Sequence, residues 1–145
     1  MILSGRARAQ GRVLLVDDDA DAALFATHVL SALGQFPVTH TADPAVALRL
    51  VARGDCDLLL TETELPRLSG HGLVQAVRQL APALPVVVLT VHLLDPVDAN
   101  ALRQLTDDYL EKPLSPAHLI AAVAAALTQP DKFSPRPPDL VPRLL

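Results

Sequence analysis

The chain has no tryptophan, one tyrosine and three phenylalanines among its 145 residues. So thin an aromatic inventory leaves little for a surface that stacks nucleic-acid bases. A single cysteine, Cys56, excludes an internal disulfide and reads as a reduced structural thiol beside a buried strand. No segment approaches the roughly 18 consecutive apolar residues of a membrane-spanning helix, and Met1-Ile2-Leu3 is too short for a secretory apolar region. A cytoplasmic protein without membrane contact is expected. The five histidines, His28, His40, His71, His92 and His118, show no metal-ligand spacing and read as ordinary surface or half-buried residues.

Half of the residues are apolar, nearly all of them aliphatic, and the length suits one domain with a core of ordinary size. The net charge of −4 is unevenly spread. Residues 1–12 carry Arg6, Arg8 and Arg12, the stretch from 129 onward carries about +1, and residues 13–128 hold 14 acids against six bases. A body near −8 repels a phosphate backbone, so direct nucleic-acid binding is not expected.

Three apolar runs, at 12–17 (RVLLVD), 57–61 and 85–90 (PVVVLT), have the continuous form of strands buried on both faces, as a parallel sheet requires. Residues 36–40 and 107–111 are weaker, edge-like candidates. Between them lie helical patterns. Ala22, Phe25, Ala26, Val29 and Leu33 recur at spacings of three and four, with Gly34 as the stop. Asp43-Pro44, Asp95-Pro96 and Ser115-Pro116 each pair a capping residue with a proline at the first helical position. A further helix spans about 69–80 and stops before Pro82. By spacing, Leu102, Leu105, Leu110, Leu119 and Val123 belong mostly to the core. Five alternations of strand and helix predict an α/β fold, a doubly wound five-stranded parallel sheet flanked by five helices. The expected organisation is a flexible basic segment at 1–11, one domain at 12–128, and a tail at 129–145 whose five prolines and lack of periodicity suit an extended chain. No output domain is visible, so the domain is expected to stand alone.

In such a sheet, ligands bind beyond the carboxyl ends of the strands, where the strand order reverses. The residues at those ends are Asp17-Asp18-Asp19, Glu62, Thr90 and Glu111-Lys112-Pro113. Asp19 or Asp21 is expected to cap the first helix. Asp17 and Asp18 together are harder to explain as caps, because adjacent carboxylates repel unless a divalent cation or a lysine offsets them.

These motifs, VLLVDDD, DLLLTETELPRLSG, PVVVLT and DYLEKP, resemble those of the receiver domain of two-component response regulators over residues 12–128. The resemblance implies a flavodoxin-like, CheY-like domain that takes a phosphoryl group from a histidine kinase onto an aspartate. It implies Mg2+ on Asp17, Asp18 and the backbone carbonyl of Glu64. It also makes Thr90 a phosphoryl-oxygen donor, Lys112 the partner of the acceptor carboxylate, Tyr109 the switch aromatic, and the Lys112-Pro113 bond cis. Implied partners are a histidine kinase or a downstream effector, or a second copy on the face of the fourth helix, fifth strand and fifth helix.

The family's acceptor aspartate falls on Glu62, a register fixed by Pro66 and Gly70. One more methylene carries the carboxylate outward by about 1.5 Å. A displacement near 1 Å can cost on the order of 10²-fold in a reaction that depends on in-line positioning. Phosphorylation of Glu62 is therefore expected to be slow or absent, and its charge to imitate part of the activated state. Two further departures are Val91, where the family has a small residue that admits the donor, and Leu105-Thr106, where it has a glycine. Retained Asp17, Asp18 and Lys112 keep a Mg2+ site open, while a direct Glu62–Lys112 bond would make the metal unnecessary; both stand at this point. The reading is a phosphorylation-independent interaction module in bacterial signalling, not an enzyme. Its rivals are a working phosphotransfer receiver and, more remotely, a small Mg2+-dependent phosphohydrolase with Asp17 as nucleophile. The acidic first loop disfavours a flavin-binding version of the fold.

Overall fold

Leu14, Leu15, Leu58, Leu59, Leu60, Val86 and Val87, drawn from the three apolar runs, are completely or almost completely buried. They form the middle of a sheet in a computed structural model that describes residues 11–65, 67–90, 96–112 and 114–128. The elements are β1 (Val13–Val16), α1 (Ala20–His28) continuing into a π-helical turn (Val29–Leu33), β2 (Val38–Thr41), α2 (Pro44–Ala52), β3 (Leu58–Glu62), α3 (Gly70–Leu80), β4 (Val86–Thr90), α4 (Pro96–Leu105), β5 (Asp108–Glu111) and α5 (Pro116–Thr128). All strands are parallel in the order β2-β1-β3-β4-β5, so the order reverses between β1 and β3.

Each face of the sheet has its own apolar layer. Val13, Leu15, Leu58 and Leu60 pack with α1 and α5, and Leu14, Val16, Leu59 and Val88 pack with α2 and α3. The alternation within one strand divides its side chains between the layers. Edge strand β2 is half-exposed, as its weaker pattern predicts.

Side-chain caps start four helices. Asp19 accepts from the amides of Asp21 and Ala22, Asp43 from Ala45, Ser69 from Gly72 and Ser115 from His118. The expected Asp95 cap, Val91 and Pro66 lie outside the described residues, as do Pro113 with its expected cis bond and both terminal segments, 1–10 and 129–145.

The first helix departs from its predicted face. Ala23, Ala26, Val29 and Leu30 are buried, whereas Phe25 and Leu33 are exposed at 45% and 61%. Alanines against the sheet let α1 sit close and place the bulkier Phe25 at its flank. The π-helical turn, closed by the Gly34 amide on the Val29 carbonyl at 3.0 Å, takes an extra residue and rotates Leu33 outward. Gly34 is the cap, but with a right-handed φ of −93°; the left-handed residue is Gln35 at φ 62°. What Gly34 supplies is room, since a Cβ there would lie 3.0 Å from both the Leu30 carbonyl oxygen and the Phe36 ring.

Leu102, Leu110, Leu119 and Val123 are buried as predicted, with Leu105 half-buried against the layer that holds Leu102. The turn before β5 closes without glycine: Thr106 N donates to Arg103 O at 3.4 Å and Asp107 N to Val86 O at 2.7 Å. Partly buried Arg78 ties this corner together, donating to the carbonyls of Leu105 and Leu84 and pairing with Asp107.

Candidate functional site

Strand register decides which side chains meet. Val16 is level with Thr61, so the next residues, Asp17 and Glu62, sit side by side at the point where strand order reverses. Glu62 is level with Leu89, which puts Thr63 beside Thr90. Thr90 is level with Glu111, and the Lys112 amide then donates to the Thr90 carbonyl at 2.7 Å. Gly70 keeps α3 against the end of β3. Its amide donates to Thr63 O at 2.8 Å, and a Cβ there would collide with Glu62 O and come within 2.6 Å of Thr63 Cα.

The Lys112 ammonium stands between two carboxylates, 2.9 Å from Asp17 Oδ2 and 2.9 Å from Glu62 Oε2. The acid side chains are 3% and 6% exposed and the lysine 15%. Two buried like charges side by side are costly, and the shared cation is what makes the pairing tolerable. Burial acts to lower the lysine pKa, but hydrogen bonds and charge from Asp17 and Glu62 outweigh it and hold the value above the ordinary 10.5.

The remaining oxygens are also engaged. Asp17 Oδ1 accepts from the Asp19 amide at 2.9 Å. Glu62 Oε1 accepts from the Thr63 amide at 2.7 Å and the Thr63 hydroxyl at 2.9 Å, and that hydroxyl meets the Thr90 hydroxyl at 2.8 Å. Two contributors escaped the sequence reading. Thr63 was missed because nothing in TETELP marks one threonine as functional. His40 was read as ordinary, yet its Nε2 lies 2.8 Å from the Asp17 carbonyl, which it can meet only as a donor.

Of the residues singled out from sequence, Asp17, Glu62, Thr90 and Lys112 come together. Asp18 and Glu64 are exposed. Tyr109 is half-buried against the α2–α3 layer with the Arg103 guanidinium 4.8 Å from its ring centroid, and burial raises its pKa. A Mg2+ ion would need several oxygens turned to one point. Here Asp17 gives its oxygens to Lys112 and Asp19, and Glu62 gives its own to Lys112 and Thr63. Among the described residues no group of three or more acids, histidines or cysteines converges in a way that suits a metal. In this arrangement the donor set does not fit the ion. Beside the lysine, Phe25, Ala26, Leu89, Leu114 and Leu119 line a cleft of about 640 Å3 between α1 and α5.

A family model described as "Response regulator receiver domain" matches residues 13–124. The chain belongs to that family. This receiver is similar to the transcriptional regulatory protein PrrA of Mycobacterium tuberculosis, 35% identical over 80% of this chain and 49% of PrrA. It is likewise similar to the DNA-binding response regulator MtrA of Mycolicibacterium paratuberculosis, 36% identical over 83% of this chain and 52% of MtrA. The receiver thus spans about half the length of these curated relatives. Among solved structures, the receiver domain of sensor histidine kinase PA1611 from Pseudomonas aeruginosa PAO1 superposes with a TM-score of 0.73 at 28% identity, covering 81% of this chain and 98% of that one. That structure has a magnesium ion coordinated in its active-site cleft. The Francisella response regulator 1452 receiver domain gives 0.71 at 28% identity, over 80% of this chain and 95% of that one. The relatives are signalling regulators, and no helix among the described residues is long and apolar enough to cross a membrane.

Proposed function

We propose that this receiver is a phosphorylation-independent interaction module of two-component signalling, working in the bacterial cytoplasm through protein partners such as a histidine kinase or a downstream effector. The observation that carries this reading is the Glu62 carboxylate, whose Oε2 is held by Lys112 and whose Oε1 is held twice by Thr63. A carboxylate that attacks phosphorus must turn a free lone pair toward the donor, in line with the leaving oxygen. Glu62 would first have to break charge-assisted bonds in a buried site. Lys112 supplies locally part of the positive charge that a divalent cation would bring, so the acid pair is offset to one net negative charge by the chain itself.

Incubation with acetyl phosphate and Mg2+, followed by intact-mass spectrometry, is expected to leave the chain unmodified. Glu62→Asp, which withdraws the carboxylate by about 1.5 Å, is expected to gain labelling. A stable stoichiometric acyl phosphate on the unaltered chain would replace this reading with that of a working phosphotransfer receiver.

A further inference from the structure

We infer that the cleft between α1 and α5 is a binding site for a small uncharged amphipathic molecule, an apolar body that ends in a carboxamide. The inference goes beyond the function proposed above and holds whether or not Glu62 accepts a phosphoryl group.

The shape of the cleft comes from the sequence of α1. Ala22 and Ala26, four residues apart on one face of the helix, line it with methyl groups where larger side chains would fill the space. Leu89 and Leu119 beneath them belong to the buried core, so the floor is rigid. Phe25 stands at the side with its ring still 45% exposed, which leaves apolar surface for a ligand to cover. The volume of about 640 Å3 lies within the range of small-molecule sites, which join apolar walls to a few polar groups.

The head group follows from the two polar residues in the lining, Asp21 and Lys112. The Lys112 ammonium carries three protons, of which Asp17 Oδ2 and Glu62 Oε2 take two at 2.9 Å each. One donor is left to offer. Asp21 lies at an exposed position in the first turn of α1, and its ionised carboxylate can only accept. An anionic ligand would answer Lys112, but Asp17, Glu62 and Asp21 against one lysine already leave two negative charges around it. An amine would answer Asp21, yet it brings a second ammonium toward the first and gives the lysine proton no acceptor. A carboxamide answers both, because its carbonyl accepts from Lys112 while its N–H donates to Asp21. Since the same ammonium holds Asp17 and Glu62, occupancy of the cleft is also felt at the acid pair.

The test titrates the full chain, labelled with 13C and 15N, with octanamide, octanoate and octylamine, which share one apolar chain and differ in the head group. Octanamide is expected to shift the methyl resonances of Ala22, Ala26 and Leu119 and the side-chain resonances of Lys112 in a saturable way. The other two should bind at least about tenfold more weakly, the factor for roughly one lost hydrogen bond. Ala22→Leu, which fills the cleft, should abolish the remaining methyl shifts. The proposal is overturned if octanamide leaves these resonances unmoved, or if octanoate or octylamine binds as tightly; neither result depends on a variant folding. It is equally overturned if folded Ala22→Leu still binds octanamide at full strength. Acyl-phosphate formation on the unaltered chain would defeat the proposed function while leaving this comparison of head groups to decide the cleft separately.

Discussion

Lys112 is the residue whose loss should be felt most, because it is the shared counterion of two buried acids. Removing one partner of a buried ion pair leaves an uncompensated charge and costs about 3–5 kcal/mol. Lys112→Ala is expected to lose that much in urea denaturation, whereas Asp18→Ala, at an exposed position, should stay within about 0.5 kcal/mol. Cys56 offers a pH test away from the site. Burial, assisted by neighbouring Asp57, lifts its thiol from 9.0 to about 11. The folded state therefore holds this proton more tightly than the unfolded one. The associated stability is complete below pH 9.0 and is lost as pH climbs toward about 11. Alkylation by iodoacetamide at pH 8 should be slow in the native protein and fast in urea, since the thiolate is the nucleophile.

Among the elements, the junction of β3 and α3 is the least tolerant of added volume. At Gly70 a Cβ meets backbone atoms of Glu62 and Thr63, which cannot swing aside as a flexible side chain could. Gly70→Ala should destabilise the fold by about 1–3 kcal/mol or more, the usual range for overpacking. It should also shift the amide resonances of Thr63 and Lys112, because moving α3 moves the end of β3. Gly54, where a Cβ would meet nothing within 4 Å, lacks this steric conflict. The elements themselves were legible in the chain: continuous aliphatic runs became β1, β3 and β4, and three of the described caps, Asp19, Asp43 and Ser115, fell where a polar residue precedes a helix. The face of α1 was not. Periodicity gives a spacing of three to four, but choosing among adjacent stripes depends on which side chains are small enough to meet the sheet, and Ala23 displaced Phe25 in that contest.

For the whole molecule, the three charged groups at the sheet's switch point sum to one negative charge, and the cation is part of the chain itself. A ligand that binds the native state raises stability in proportion to its occupancy. Mg2+ at about 10 mM is therefore expected to change the unfolding free energy by less than about 0.4 kcal/mol, the value for half-saturation. Lys112→Ala, which frees both acids, should show a larger Mg2+-dependent gain in a thermal melt. The strands and the residues at their ends were within reach of the sequence, because hydrophobic runs, caps and the Asp17, Glu62, Thr90 and Lys112 ends are local features read in chain order. The sequence left undecided whether Glu62 would face a metal or the lysine, since that choice depends on the Lys112 ammonium arriving within 3 Å of both the Asp17 and the Glu62 carboxylate. Thr63 and His40 entered the site for the same reason. Parallel register placed one beside Thr90 and the other against the Asp17 carbonyl, and register is a relation between strands that no single stretch of chain contains.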